Sequence, residues 1–581
     1  KESALIMRKQ TKLVAVLSTA ALLAIGASMT SFAAQGWAEE DGTWVYYDKN
    51  GDKVSNNWKK SGDNWYWLDD NGEMATDMLI EDDDNYYYVD ANGVMVRNQW
   101  VAIENEDAGD EDEPDNYWYY FQANGKAYKR SDNAGNDVIN AKVINGKKYA
   151  FDTDGKMLYG WVKDGERQTD DDAWKDCEYY FGDENDGAMS IGWRLINITD
   201  DDAADDQPGD EFWDEEQDRW FWFKSSGKKQ RSKDGKSING KKYGFDQYGR
   251  MIASWYSGDV TATTSKADTP FVQTATPVQG QREYSEEFMY FSDPESGARY
   301  TKGWFKVVPG YYLQEGKYND GDEYWYYADG NGNLYANVIK TIKGKKYAFD
   351  QYGRMISGLV FLEFETGTEG TDFLMKYADD ADPFNKADKE DYKNNGDTGA
   401  YDTEDNFDDF VNDHADLISK DQLRCYYFGS SDDGAMKTGK QNIDIDGDTF
   451  AFRFRDSSSA KGAGINGFKD DKLYLAGKLV KADKDDKYKV IAYNEKENTV
   501  TKLDTAEFLH DYCTEDPAAT NDDKTTWVID ATKTADLEEG TVFYVVNTSG
   551  TIVKSKSGAK DGEDYKFYVS GKKIDKIVLE D

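Results

Sequence analysis

Three glycines, Gly51, Gly72 and Gly93, follow one another at a step of 21 residues, and Asp48, Asp69 and Asp90 precede them in phase. Trp37, Trp58, Leu79 and Trp100 form a second ladder at the same step. A period this short cannot enclose a core of its own, so its units have to bury their apolar faces on their neighbours. Asp-x-x-Gly spells a tight turn, in which the carboxylate caps backbone N–H groups and the glycine takes a positive φ; each period is therefore expected to be a β-hairpin. The phrase "INGKKYAFDTDGKM" at 144–157 returns from Ile238 and again from Ile342. It is the middle member of a three-hairpin cassette with turn glycines Gly125, Gly155 and Gly187, then Gly227, Gly249 and Gly297, then Gly332, Gly353 and Gly434. The expected fold is all-β, an elongated array of stacked hairpins with acidic loop insertions and a diverged β-rich C-terminal region.

Counting back from each turn glycine separates the two faces of the strand that enters the turn, because side chains alternate along a strand. One parity is apolar throughout: Val45 and Tyr47, Tyr66 and Leu68, Tyr87 and Val89, Tyr119 and Phe121, Tyr149 and Phe151, Phe221 and Phe223. This face is assigned to the stacking core. The other parity carries Trp44 and Tyr46, Trp65 and Trp67, Tyr86 and Tyr88, Trp118 and Tyr120, Trp220 and Trp222. Burial alone does not require rings on both faces, so the second face is the candidate ligand surface. In the "GKKY" hairpin it reads Lys148 and Ala150, and that hairpin is expected to keep the core face and drop the outer one.

The chain holds 113 acidic against 70 basic residues, a net charge of -43. Such a balance marks many disordered chains, but 17 Trp, 41 Tyr and 27 Phe are a large apolar load that an unfolded chain has no use for. The charge disfavours nucleic acid, whose phosphates need basic patches. It also opposes plain electrostatic adhesion to polyanionic wall polymers and favours only a cationic ligand group. Many acids sit in "ENEDAGDEDEPD", "TDDDAADDQPGDEFWDEEQD" and the segment 363–421, read as solvated loops, with calcium binding as the alternative.

Four segments are expected. Residues 1–33 read as a signal peptide, with Arg8, Lys9 and Lys12 ahead of an apolar run at 13–27, a small-residue cleavage site at Ser31 to Ala33, and residues 1–6 upstream of the natural start at Met7. Hairpin repeats fill 34–137, longer cassettes with acidic insertions 138–440, and the diverged β-rich region 441–581. Once the leader is removed, no later stretch is apolar enough to span a membrane. Cys177, Cys425 and Cys513 are read as free thiols. The only histidines, His414 and His510, stand far apart in sequence, which gives neither a metal-ligand spacing nor a hydrolase dyad. No catalysis, metal or cofactor is expected.

The pattern Gly-Trp, variable loop, Trp-Tyr-Tyr, Asp-x-x-Gly, Met resembles the cell-wall-binding repeat family that includes choline-binding modules and glucan-binding repeats, and the "GKKY" phrase is also similar to short repeats of clostridial toxin receptor-binding regions. The likeness covers about 35–439. It implies an all-β, elongated β-solenoid of stacked hairpins and a secreted, cell-surface protein whose partner is a wall polymer, either choline-decorated teichoic acid or a glucan or other glycan. A wall hydrolase with a catalytic segment in 441–581 is the alternative. The family's site, carried across, marks Trp37, Trp44 and Trp67 as one aromatic cage and Trp58, Trp65 and Tyr88 as a second, with a third starting from Trp100 and Trp118.

Overall fold

The computed structural model describes residues 35–109, 113–131, 139–200, 215–257, 282–310, 313–365, 372–373, 375–377, 403–521 and 523–580. The leader, 1–33, and much of the acidic insertions lie outside the described residues. The described chain is mostly β, and its first two-thirds is a succession of small antiparallel sheets. Among the described residues no helix is long and apolar enough to cross a membrane.

Local chemistry explains the hairpins. Gly36–Glu40 pairs with Thr43–Tyr47, Asn57–Ser61 with Asn64–Leu68, Met78–Asp82 with Asn85–Val89, and Gln99–Glu104 with Asn116–Phe121. The expected Asp-x-x-Gly turn follows each second strand where its carboxylate can act. Asp48 Oδ1 accepts from the N–H groups of Asn50 and Asp52 at 2.8 and 2.9 Å, and Asp69 and Asp350 do the same in their own turns. These bonds satisfy donors that no strand partner reaches.

The residue two places beyond the turn glycine then ties each hairpin to the one before it. Met74 N–H donates to Trp44 O, Met95 to Trp65, Met157 to Trp118 and Met251 to Trp220, each at 2.8 Å. Later in the chain Arg299 donates to Lys242 O, Leu334 to Phe288, Met355 to Trp325 and Met436 to Lys346. The side chain of the same residue covers the next turn's glycine. A Cβ on Gly125 would stand 2.3 Å from Met95 Sδ, and one on Gly434 2.2 Å from Met355 Sδ. Where a methionine follows the turn, it is thus half of a contact whose other half is the missing side chain of the following turn.

The chain divides into two compact units, one comprising the described residues up to Lys233 together with Phe245–Met251, the other Asp234–Gly244 and everything from Ile252 onward. In the first unit the assigned core face is buried at Val45, Tyr66, Leu68, Val89, Tyr119, Phe121, Tyr149, Phe151, Phe221 and Phe223, whereas Tyr47 and Tyr87 are half-buried. The second face is not an open outer surface. Trp67 and Ala150 are buried and Trp44, Trp65, Tyr88 and Trp118 half-buried, because a stacked hairpin has a neighbour on each side. The "GKKY" hairpin therefore does not drop its second face: Ala150 packs with Leu158, Val162, Phe181 and Met189.

The described ends of two insertions pack against the fold and are not solvated loops. Asp200 opens the run Asp200 to Asp206, yet it is 2% exposed, accepts a hydrogen bond from Arg250 Nη1 at 2.7 Å and forms an ion pair with Lys175 Nζ at 3.0 Å. Arg250 lies over the ring of buried Trp174 at 4.9 Å, whose indole N–H donates to Thr199 O at 2.7 Å. The end of the segment 363–421 folds into helices Glu404–Asp413 and Ala415–Ser419, capped by Thr403 and anchored by buried Phe407, Phe410, Val411 and Ile418. Acid on one helix face hid an apolar face on the other.

From Gly439 onward the strands join sheets of up to five strands, and Phe361 and the helix residues share one core with Phe452, Phe454, Leu473, Ile491, Val546 and Ile552. The repeat's turn survives there without its tryptophan. Asn547 Oδ1 accepts from Ser549 and Thr551 N–H, and Ile552 N–H donates to Asp471 O at 3.0 Å. The strands of this region form three separate antiparallel sheets, of five, three and five strands.

Two outcomes follow from this packing. Gly125 and Gly146 share a φ near +85°, at +85° and +84°, but a Cβ on Gly146 meets nothing within 4 Å. Alanine strains the backbone at both sites, and at Gly125 it also displaces Met95, so thermal melts should show Gly125→Ala losing about 1–3 kcal/mol more than Gly146→Ala. Equal losses would contradict the turn-on-turn contact. Asp200→Asn leaves Arg250 and Lys175 short of a buried partner and should cost about 3–5 kcal/mol in urea unfolding, where a loss below about 1 kcal/mol would mark the pair as solvated.

Candidate ligand-binding site

The register of each hairpin places its opening tryptophan opposite the ring five residues before the turn glycine: Trp37 faces Tyr46, Trp58 faces Trp67, Trp100 faces Tyr120, Trp193 faces Trp222 and Trp304 faces Tyr327. These cross-strand pairs meet edge to face, with centroids 5.1 to 5.4 Å apart. The same tryptophan reaches a core ring of the next hairpin. Trp37 meets Tyr66 at 5.3 Å, Trp58 meets Tyr87 at 5.1 Å, Trp100 meets Tyr149 at 4.9 Å and Trp304 meets Tyr347 at 4.8 Å. A three-ring set spanning two hairpins therefore recurs, and its opening tryptophan stays half-buried.

The cages expected from sequence are distributed differently. Among the described residues no ring contact joins Trp37 to Trp44 or to Trp67; Trp67 belongs to the set of Trp58, with Tyr87 as third member. Trp65 is half-buried beside that set in sequence, and its carbonyl holds Met95. Tyr88 packs on Phe121 at 6.1 Å and donates its hydroxyl to Asp77 Oδ1 at 2.5 Å. Burial pushes the Tyr88 hydroxyl well above its ordinary value, with Asp77 adding to the shift, so the ring stays neutral. Trp100 and Trp118 both pack against the buried cluster of Ile144, Tyr149, Phe151 and Met157, but among the described residues no ring contact joins them.

Two sets that sequence left unassigned are the most complete. Trp193 meets Trp222 at 5.2 Å and Trp220 at 6.2 Å, and Trp304 meets Tyr327 at 5.1 Å and Trp325 at 6.3 Å. Here the first ring of the Trp-Tyr-Tyr run joins the cluster, as the family pattern implies. The signal was the intact Gly-Trp dipeptide at Gly192 and Gly303. At Ser254 the dipeptide is lost, and Trp255 is buried, its N–H donating to Val308 O at 2.8 Å.

Ring faces without donors or acceptors hold a quaternary ammonium by cation–π attraction at about 0.5–2 kcal/mol per contact, or stack on the apolar face of a sugar. Carboxylates stand close by. Asp82 Oδ2 accepts from Trp58 Nε1 at 3.1 Å, and Asp432 Oδ1 lies 3.4 Å from Trp325 Nε1. The other chemistry-bearing groups are committed elsewhere. His414 Nδ1 is 2.9 Å from Phe410 O and its ring stacks on Phe410, and His510 Nδ1 lies 2.6 Å from Asp511. Cys177, Cys425 and Cys513 are buried and unbridged, and burial pushes the Cys177 thiol up to about 11. Among the described residues no group of three or more His, Cys, Asp or Glu could hold a metal ion.

Comparison with known proteins places these sets in context. Residues 54–100, which span the hairpins carrying Trp58, Trp65, Trp67 and Tyr88, match the choline-binding repeat family. Glucosyltransferase-S of Streptococcus mutans serotype c is 26% identical over 275 residues, 42% of this chain and 16% of that protein. The chain thus spans well under a fifth of the length of that curated relative. Among solved structures, the modular autolysin LytC from Streptococcus pneumoniae is similar at 15% identity, with 58% of this chain and 56% of that one covered and a TM-score of 0.29. The choline-binding domain of CbpL from Streptococcus pneumoniae is similar at 21% identity, covering 38% of this chain and 88% of that one, with a TM-score of 0.24. On the family match over 54–100, the chain carries choline-binding repeats and resembles the cell-wall-binding repeat proteins of choline-binding and glucan-binding type.

Proposed function

We propose that this chain is a secreted, surface-associated, non-enzymatic binding protein, a β-solenoid that attaches non-covalently to a choline-decorated cell-wall polymer. The observation that carries this reading is the recurrence of one half-buried tryptophan held between a cross-strand ring and a ring of the next hairpin, in a segment matching choline-binding repeats. The net charge of -43 attracts a cationic headgroup and repels bare polyanions, so rings supply the contact and carboxylates the long-range field. Single sites of this kind bind weakly, and a row of them on a repetitive polymer gains through effective concentration. The likeness to a glucosyltransferase favours a glycan as the second reading, since the same ring faces stack on sugars.

Purified protein should be retained on a quaternary-ammonium resin and released by free choline; retention on immobilised glucan alone would favour the second reading. Clearing of wall material in a zymogram would overturn the non-enzymatic assignment. A pair of variants in one hairpin separates binding from folding. Trp58→Ala removes the half-buried ring at the centre of one set and should weaken retention with the smaller change in melting, whereas Leu68→Ala, at a fully buried core residue that belongs to no ring set, should cost about 2–5 kcal/mol. Equal destabilisation by both, with retention per folded molecule unchanged, would make both faces structural.

A further inference from the structure

One set is already occupied by the chain itself. Lys229 stands two residues beyond turn glycine Gly227, where other turns carry Met74, Met95, Met157, Met189, Met251, Met355 or Met436. Its stem does what those methionines do: its N–H donates to Glu178 O at 2.7 Å, and a Cβ on Gly249 would stand 2.9 Å from Lys229 Cγ and Cδ. The side chain then continues where a methionine ends. Nζ lies 4.9 Å from the ring centroid of Trp161 and 5.5 Å from that of Phe221, and it donates to Trp174 O. Trp161 is an opening tryptophan, paired with Tyr180 at 4.9 Å and with Phe221 of the following hairpin at 5.4 Å, so these are the rings of a three-ring set.

We propose that Lys229 is an internal ligand that closes the Trp161 set to external cations and so decides which gaps between hairpins bind. This rests on the reading of the three-ring sets as quaternary-ammonium sites. Lys229 is 3% exposed, and its Nζ stands over the Trp161 ring that an external cation would otherwise meet. Lys59 offers the contrast: it lies 5.5 Å over Tyr46 in the Trp37 set but is half-buried, at the edge of that set. Burial pushes the Lys229 ammonium down to about 7, with Arg231 adding to the fall and Asp246, Cys177 and Asp176 opposing it, and either protonation state fills the same space. Methionine at this position is what the other turns already tolerate, so Lys229→Met restores the repeat's own contact with Gly249 while removing the amino group from the rings.

The test has two arms. Under limiting acetic anhydride the folded wild type should label Lys228, 42% exposed at its side chain, and spare Lys229; equal labelling would overturn the occupancy. Equilibrium dialysis against choline should show Lys229→Met binding one more equivalent per chain than wild type. Binding by wild type with no gain in the variant would overturn this inference alone. Binding by neither protein would overturn the choline reading and the gating role together, with the labelling arm still deciding whether Lys229 is held on the rings.

Discussion

One contact sets everything else: at Met74, Met95, Met157, Met189 and Met355 the residue two places after a turn glycine donates its N–H to the preceding hairpin and lays its side chain on the glycine of the following turn. A backbone bond fixes the height of each hairpin on its neighbour, and the side chain fixes the next turn by filling the space its glycine leaves open. Neither half works alone. A side chain on the glycine would collide with the methionine, and where the shorter Ala127 stands in its place the Tyr119 ring helps to fill the space beneath Gly155. Because the contact is local to neighbouring hairpins, it tolerates insertions between strands, and the bond from Met436 to Lys346 O is made across 90 residues as readily as the one from Met95 to Trp65 O across 30.

The same stacking creates the aromatic sets. A hairpin with neighbours on both sides buries one face almost wholly and the other by half, so the opening tryptophan rests on its own cross-strand partner and against the next hairpin's core ring. The half-buried face is costly to leave wet and well shaped for a large, weakly hydrated cation or a sugar face. Where the chain has another use for the rings the gap closes: Trp255 is sealed by Phe305 and Tyr326, and Trp161 by Lys229.

What sequence made legible was the part governed by local chemistry. The turn carboxylates, the glycine spacing and the core parity at Leu68, Phe121, Phe151 and Phe223 all stand as read. What it did not make legible depends on partners far along the chain. No spacing shows that Asp200, in an acidic run, meets Arg250 fifty residues later, or that Trp58 takes Tyr87 rather than Tyr88 as its ring partner, since that choice turns on the rotation between hairpins. The helix Glu404–Asp413 was masked by its own charge, and its phenylalanines became meaningful only against strands that lie beyond it in the sequence.

The account stands or falls on whether ring faces, and not hydrogen bonds or bare charge, hold the ligand. The most direct measurement is tryptophan fluorescence titration with choline and with its neutral isostere 3,3-dimethylbutan-1-ol, at low and at high salt. Cation–π binding predicts that choline binds at least about tenfold more tightly than the isostere, a difference of about 1.4 kcal/mol, and that most of this advantage survives at high salt because the rings exclude water. Equal binding of the two, or loss of choline's advantage on adding salt, would contradict it.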